Sequence, residues 1–123
     1  MPALNSSSPL PITKRHAVMK QIYNKALAQL SLCFGGDVLS TNVKEYRNQA
    51  FDAIAAPENN WTTLEIDLAS AKMVDSAGLN LLVAIVRRAQ AKKAKVSARI
   101  SSDNVRRTFS FTRLDQHIDV QMV

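Results

Sequence analysis

Apolar and polar residues alternate in four short segments of the chain, and this pattern predicts four strands. Every second residue in these segments is apolar, as in a strand that buries one face. The segment from His16 to Tyr23 alternates less regularly, but Asn24 and Lys25 suit a turn into the first clear strand, so we predict a fifth strand in a hairpin. The apolar positions of the four clear strands are Leu30, Leu32 and Phe34; Leu64, Ile66 and Leu68; Val96, Ala98 and Ile100; and Ile118, Val120 and Met122.

Between the strands the apolar spacing changes to three and four residues, which predicts three helices. The first has its apolar face within residues 43–54. Asn42 precedes it and Glu45 follows three residues later, so we expect a capping box in which both side chains satisfy free amides. The second helix has an apolar stripe that begins at Leu79, and a short third helix is predicted after Asp103.

The predicted order of elements is β-β-α-β-α-β-α-β. A strand, helix, strand succession requires right-handed crossovers between parallel neighbours, and the hairpin adds an antiparallel pair, so the sheet is mixed. Because the strands alternate instead of being solidly apolar, the helices are expected mainly on one face. We therefore predict an α/β fold with a single domain, residues 14–123, and a mixed sheet of about five strands. Residues 1–13 are rich in Ser and Pro and are predicted to form a flexible tail.

The composition supports one packed core and narrows the function classes. Of the 123 residues, 46% are hydrophobic, and no apolar segment approaches the roughly 20 residues needed to cross a bilayer. The only cysteine, Cys33, excludes an internal disulfide, as expected for a protein of the cytoplasm. The net charge of +6 is concentrated in residues 87–113, which hold nine basic residues and one acidic residue. Such a stretch is either a solvated face or a surface that attracts an acidic partner.

A polar segment, Asp75-Ser76-Ala77-Gly78-Leu79, joins a predicted strand to the second helix. In open sheets of this kind, partners meet the loops at the carboxyl ends of parallel strands, so this segment is expected to be exposed. Asp75 or Ser76 can accept hydrogen bonds from the free amides of the helix start, which is a purely structural role. A phosphate on Ser76 would instead place about −1.5 to −2 charges at the positive end of the helix, beside Asp75. The fold would tolerate this change while the surface changed sign, as a partner switch requires.

Three parts of the chain carry a resemblance to the STAS domain of bacterial anti-sigma factor antagonists. They are the motif Asp75–Leu79, the segment Gly36–Val43 before the first helix and the segment Ser102–Phe109 at the third helix. The resemblance extends from about residue 16 to the end of the chain. It implies a cytoplasmic module that binds an anti-sigma factor with serine-kinase activity, is phosphorylated on Ser76 and is restored by a serine phosphatase. It implies a substrate and not an enzyme, and no cofactor.

The resemblance also implies which residues contact the partner. Ser76 and the loop before the first helix would form one surface, and phosphorylation would release the anti-sigma factor. Ser40 and Thr41 are candidates for secondary phosphorylation. The chain departs from the family at Leu39, where many members have Asp or Thr, and at Arg113, where a Gly is common. The predicted partner-binding residues are Asp75, Ala77, Gly78, Asn80, Asp37, Leu39, Ser40 and Thr41.

Two other functions are compatible with the sequence. STAS-like modules also serve as regulatory subunits of lipid or anion transport complexes, and a separate subunit can dock on such a complex without spanning the membrane. Residues 87–113 also offer cations for contacts with nucleic-acid phosphates. The only aromatic residues there are Phe109 and Phe111, and no nucleic-acid-binding motif occurs, so this alternative is the weaker one.

Catalysis and metal binding have little support in the sequence. A serine at a strand-to-helix turn suggests a nucleophile elbow, but that motif needs a glycine where Val74 stands. His16 and His117 are the only candidates for a general base, and no spacing links either to Ser76. The two histidines and Cys33 lack the spacing of metal ligands, so we expect no metal site and a structural role for Cys33 as a small buried hydrophobe.

Overall fold

The computed structural model describes residues 18–56 and 60–123 of the chain. The predicted tail at residues 1–13, the predicted start of the domain at residue 14, and His16 lie outside the described residues. The described elements, in chain order, are β1 (Met19–Asn24), β2 (Gln29–Phe34), α1 (Val43–Ala55), β3 (Thr63–Leu68), α2 (Ser76–Ala91), β4 (Lys95–Ile100), α3 (Asp103–Phe111), a 3-10 helix (Leu114–Gln116) and β5 (Asp119–Met122).

The five described strands belong to one mixed sheet with the spatial order β1-β2-β3-β4-β5. β1 pairs antiparallel with β2, and the other neighbours are parallel. The predicted hairpin is confirmed, because Asn24 pairs with Gln29 and its side chain accepts the amide of Leu27 in the turn (3.1 Å). The β2–α1 loop (residues 35–42) and the β3–α2 loop (residues 69–75) meet at one edge of the sheet, which we call the carboxyl edge.

The helices cover one face of the sheet, and polar side chains occupy the other. In β3, Leu64, Ile66 and Leu68 are buried on the helical side, whereas Glu65 and Asp67 between them are partly exposed on the open side. This alternation is the physical basis of the predicted α/β fold with helices mainly on one face, and that prediction is confirmed. No helix in the described ranges combines the length and apolar character that crossing a membrane requires.

The apolar spacing that begins at Leu79 marks only the buried part of the second helix, and the capping role considered for Asp75 is confirmed. α2 begins at Ser76, three residues earlier, because the Asp75 carboxylate accepts the amide of Gly78 (2.8 Å) and so caps the helix. Apolar spacing detects a helix only from its first buried residues, and Ser76 is exposed. The capping residue marks the true start.

The capping box predicted at the start of α1 is wrong. Asn42 occupies the cap position, but its side chain makes no cap hydrogen bond. It accepts the amide of Leu39 (2.9 Å) and donates to the carbonyl oxygen of Asp37 (2.9 Å), both in the preceding loop. The side chain is buried with that loop, whose backbone groups would otherwise lack partners.

The basic residues of segment 87–113 are divided between α2, β4, α3 and the turns that follow the two helices. Arg88 lies over an aromatic ring of α1 (3.8 Å), and the Nζ of Lys92 donates to the last turn of the same helix (2.7 Å). Arg99 is on the open face of the sheet, where it pairs with Asp67 (3.1 Å). These three of the nine cations therefore make contacts within the fold, which weakens the nucleic-acid alternative.

Candidate functional site

The β2–α1 and β3–α2 loops are joined backbone to backbone at the carboxyl edge. Val38 and Val74 form an isolated parallel bridge, and both side chains are buried. The amide of Val38 donates to the carbonyl oxygen of Met73, and the amide of Asp75 donates to the carbonyl oxygen of Val38, each at 3.2 Å. The bridge extends the pairing of β2 and β3 beyond the strands and holds the two loops in register.

α2 approaches the β2–α1 loop so closely that only a glycine fits at the contact. A Cβ atom on Gly78 would overlap the carbonyl oxygen of Val38 and lie 3.1 Å from Val38 Cγ1. The Val38 carbonyl is held by its bond to the amide of Asp75, so it cannot withdraw freely. Gly78, a predicted partner-binding residue, is buried in this contact, which leaves little of it for a partner.

Asp75 links the start of α2 to the opposite loop. Its Oδ1 accepts the amide of Gly78 (2.8 Å), and its Oδ2 accepts the amide of Ser40 (2.8 Å). These amides favour the ionised carboxylate, so the pKa of Asp75 lies below its usual value, with the Gly78 bond as the larger cause. At neutral pH the site therefore contains a fixed negative charge beside Ser76.

Asp37 makes the reciprocal connection from the β2–α1 loop. Its Oδ1 accepts the amides of Lys72 (2.7 Å) and Met73 (3.2 Å) in the β3–α2 loop. Each loop thus supplies one carboxylate that binds the backbone of the other. Asp37, also predicted to contact a partner, has its Oδ1 engaged in this internal contact.

Ser76 is the first residue of α2, and it is exposed. Its hydroxyl makes no hydrogen bond with any residue within 18–56 or 60–123. Asn80, one turn further along the helix, is also exposed, and Ala77 is partly exposed. A second protein can therefore reach the Ser76 hydroxyl without disturbing the core.

The β2–α1 loop brings the remaining predicted residues to the same edge. Ser40 and Thr41 are exposed, and Leu39 is partly exposed. The bond between the Ser40 amide and the Asp75 carboxylate places this part of the loop beside the start of α2. The structure therefore brings together Ser76 and the predicted partner-binding residues, although they come from segments that are far apart in the sequence.

Two residues at this edge escape the sequence reasoning. Met73 is 51% exposed, and Lys72 is exposed next to it. A methionine between a strand and a helix suggests a core residue, and no sequence signal distinguishes this exposed one.

A third loop supports the β3–α2 loop. Ser101 and Ser102, which follow β4, donate through their hydroxyls to the carbonyl oxygens of Ala69 (2.7 Å) and Lys72 (3.1 Å).

Of the two histidines considered as a general base, only His117 lies in the described residues, and it is not at the carboxyl edge. His117 precedes β5, at the edge of the sheet opposite the carboxyl edge. Cys33 is partly exposed on the open face of β2, so it is not the fully buried residue we expected. Burial and the nearby carboxylate of Asp67 raise the pKa of its thiol, which keeps it protonated at neutral pH. Across the described ranges, no three His, Cys, Asp or Glu side chains cluster in a way that could hold a metal ion.

Solved structures with a similar fold include a protein from Thermotoga maritima described as an anti-sigma factor antagonist. The two chains are 17% identical, and their superposition has a TM-score of 0.73 and covers 86% of this chain and 87% of that chain. The anti-sigma factor antagonist SpoIIAA in its unphosphorylated form matches at 16% identity and a TM-score of 0.64, covering 86% and 89%. The phosphorylated form of this Bacillus cell fate determinant matches at 17% identity and a TM-score of 0.63, covering 85% and 92%. At these identities the likeness establishes a shared fold.

A comparison of the chain with models of protein families gives the same family as the sequence motifs. Residues 23–123 match the family model described as Mlab, STAS domain, whereas comparison with curated protein sequences finds no match. The matched range begins within β1 and includes both loops of the carboxyl edge and α2. The resemblance predicted from the sequence is therefore confirmed, and the chain belongs to the STAS domain family.

Proposed function

We propose that this STAS domain is a non-enzymatic partner switch of the cytoplasm. It binds an anti-sigma factor with serine-kinase activity, releases it when Ser76 is phosphorylated, and regains binding when a serine phosphatase removes the phosphate. The observation that carries this proposal is the exposed Ser76 hydroxyl at the first residue of α2, beside a carboxylate held by two backbone amides. The SpoIIAA structures support it, because a protein of the same fold exists in unphosphorylated and phosphorylated forms.

The position of Ser76 lets a phosphate change the surface and leave the core intact. A phosphate adds about −1.5 to −2 charges at pH 7. The helix dipole favours a negative group at this end by about 0.3–1 kcal/mol, whereas the charge of Asp75 opposes it. The two effects on folding stability act in opposite directions. Their effects on the surface add, since phosphate and carboxylate both present negative charge to a partner.

The unphosphorylated edge is suited to binding another protein. Met73 and Leu39 supply apolar contact area, and exposed Ser40, Thr41 and Asn80 supply hydrogen-bonding groups. The hydrogen bonds between the two loops hold this surface in one conformation before a partner arrives, which lowers the entropy cost of binding.

Capture of the partner from native cells tests the proposal. The wild-type chain and the Ser76→Asp and Ser70→Asp variants are used as baits, and bound proteins are identified by mass spectrometry. Ser70 is a matched control, because it is an exposed serine in the β3–α2 loop. We expect the wild type and Ser70→Asp to retain an anti-sigma factor with a kinase domain, and Ser76→Asp to lose it. Equal retention by all three baits would contradict the switch.

Phosphate mapping tests the acceptor independently of binding. The captured kinase is incubated with ATP and with the wild type or Ser76→Ala, and the phosphorylated residue is located by mass spectrometry. We expect phosphate mainly on Ser76 in the wild type, and in the Ser76→Ala variant only the smaller amount that Ser40 or Thr41 accepts as secondary sites. Phosphate only on Ser40 or Thr41 would move the acceptor to the other loop.

A second candidate function is a regulatory subunit of a lipid or anion transport complex. The family match favours it, because the matching model is described as Mlab and not as an anti-sigma factor antagonist. The same capture experiment separates the two functions: a permease or a transport ATPase on the wild-type bait supports the second candidate, and an anti-sigma factor supports the first.

A further inference from the structure

The Asp75 carboxylate accepts hydrogen bonds from two backbone amides, and these amides differ in which other acceptors are available to them. The amide of Gly78 belongs to the first turn of α2, whose amides lack acceptors within the helix. The amide of Ser40 lies in the other loop, and within the described ranges Asp75 Oδ2 is its acceptor (2.8 Å). The hydrogen bond at Ser40 therefore depends on where the Asp75 side chain is held.

A phosphate on Ser76 would act on Asp75 in two ways. Its oxygens would compete with Asp75 for the amides of Ala77 and Gly78 at the start of α2, because amides at a helix N-terminus attract anions. Its charge would also repel the adjacent carboxylate. Both effects would move the Asp75 side chain away from its present position. The Ser40 amide would then lose its hydrogen bond to Asp75 and bind water instead.

Other contacts confine the change to a short part of the loop. Val38 remains paired with the β3–α2 loop through its backbone, and Asp37 retains the amides of Lys72 and Met73. Leu39 is held by the Asn42 side chain (2.9 Å). In the β2–α1 loop, Ser40 and Thr41 are exposed, and the hydrogen bond from the Ser40 amide to Asp75 holds them in place.

We propose that Asp75 is a positioning residue that couples the charge on Ser76 to the conformation of Ser40 and Thr41. Phosphorylation then alters the partner surface at two places, at the modified serine itself and at the tip of the neighbouring loop. This inference rests on the proposed function, because it takes Ser76 as the phosphorylated residue.

Amide hydrogen exchange measured by NMR on the purified full chain tests the coupling without any partner. Phosphoserine is introduced at position 76 by genetic encoding and, as a matched control, at position 80, one turn further along α2. We expect exchange of the Ser40 amide to rise about fivefold to tenfold with phosphoserine at 76, as for the loss of one hydrogen bond. The amides of Lys72 and Met73, bound to Asp37, should keep their exchange rates, and phosphoserine at 80 should change none of the three.

The Asp75→Asn variant tests whether the effect passes through this carboxylate. The Asn oxygen can still cap Gly78, but its NH₂ group cannot accept the Ser40 amide, so exchange at Ser40 should already be fast. Phosphoserine at 76 should then add no further increase, whereas additive effects would overturn the proposal. Unchanged Ser40 exchange in the singly phosphorylated chain would also overturn it, while leaving the partner switch standing if capture still depends on Ser76. Absence of phosphate on Ser76 in cells would instead refute the proposed function, because the exchange measurement uses installed phosphoserine.

Discussion

Gly78 lies in the first turn of α2, where alanine is ordinarily the better residue by about 1 kcal/mol. Here a Cβ atom would overlap the carbonyl oxygen of Val38, whose position is set by the bridge between the loops. We therefore expect Gly78→Ala to lower the free energy of unfolding by about 1–3 kcal/mol, as overpacking does. Urea denaturation of the purified chain measures this change.

Gly36 provides the control for this prediction. A Cβ atom on Gly36 would meet no atom within 4 Å, and no described glycine has a positive φ angle. The Gly36→Ala variant should therefore stay within about 0.5 kcal/mol of the wild type. A similar loss in both variants would show that the contact with Val38 is not the cause.

Asp75 gives the stability of the chain a specific dependence on pH. The amides of Gly78 and Ser40 lower the pKa of Asp75 in the folded chain below the value of about 3.9 expected for an unfolded chain. The resulting stabilisation is complete above the unfolded-state pKa and is lost as the pH falls through the folded-state pKa. We expect the difference in unfolding free energy between wild type and Asp75→Asn to be constant from about pH 7 to pH 5.5 and to shrink below about pH 4.

Urea denaturation across this pH range measures the difference. Asn at position 75 still offers an oxygen to the Gly78 amide, so the comparison isolates the charge and the bond to Ser40. A difference that did not vary with pH would mean that the carboxylate is not stabilised by the two amides.

At the scale of elements, one lysine connects the ends of two helices. The Nζ of Lys92, at the end of α2, donates to the carbonyl oxygen of Ile54 in α1 (2.7 Å) and lies over the ring of Trp61 (5.1 Å). Carbonyl groups in the last turn of a helix lack partners within the helix, so this donor satisfies one of them. We expect Lys92→Met to cost about 1 kcal/mol of unfolding free energy, the usual contribution of one hydrogen bond.

Lys95→Met is the control for this substitution. Lys95 is exposed at the start of β4, and its replacement removes the same charge. Thermal and urea denaturation should show little effect of Lys95→Met and a clear loss for Lys92→Met. If both variants lost the same stability, the loss would come from charge and not from the connection between α1 and α2.

The elements themselves follow from local patterns. Alternation identified the four clear strands and the buried sides of β2, β3 and β4, because these strands pack one face against the helices. The predicted buried side of β5 is wrong at Met122, which is 47% exposed. The first helix begins at Val43 after Asn42, as predicted, but the expected hydrogen bond from the Asn42 side chain to the helix start does not form. The Asp75 carboxylate caps α2, which begins at Ser76. The Asn42 side chain forms its hydrogen bonds with the loop before α1 and none with the start of that helix. Both outcomes depend on where a polar side chain finds its partner, which periodicity does not report.

At the scale of the whole molecule, the proposed acceptor Ser76 is separate from the core. Ser76 is exposed, and the buried residues of α2, such as Leu82 and Ile85, point to the sheet. We therefore expect the unfolding free energy of Ser76→Asp to lie within about 0.5 kcal/mol of the wild-type value. We expect the same variant to lose its capture of a partner. Circular dichroism and urea denaturation of the captured baits measure the first part. An unfolded variant would show instead that Ser76 is needed for the fold.

The sequence by itself determined the class of fold, the order of the strands along the chain and the location of Ser76 at the start of a helix. These features depend on spacings of a few residues, and short spacings set which side of a strand or helix is buried. The motif around Ser76 also identified the STAS family, which the family match confirmed.

Only the tertiary structure decided how the carboxyl edge is built. The bond between Asp75 and Ser40 joins residues 35 positions apart, and that between Asp37 and Met73 joins residues 36 positions apart. The exposure of Met73 and the contact of Gly78 with Val38 arise in the same junction. Such contacts exist only after parallel strands bring distant loops to one edge, so no local pattern in the chain encodes them.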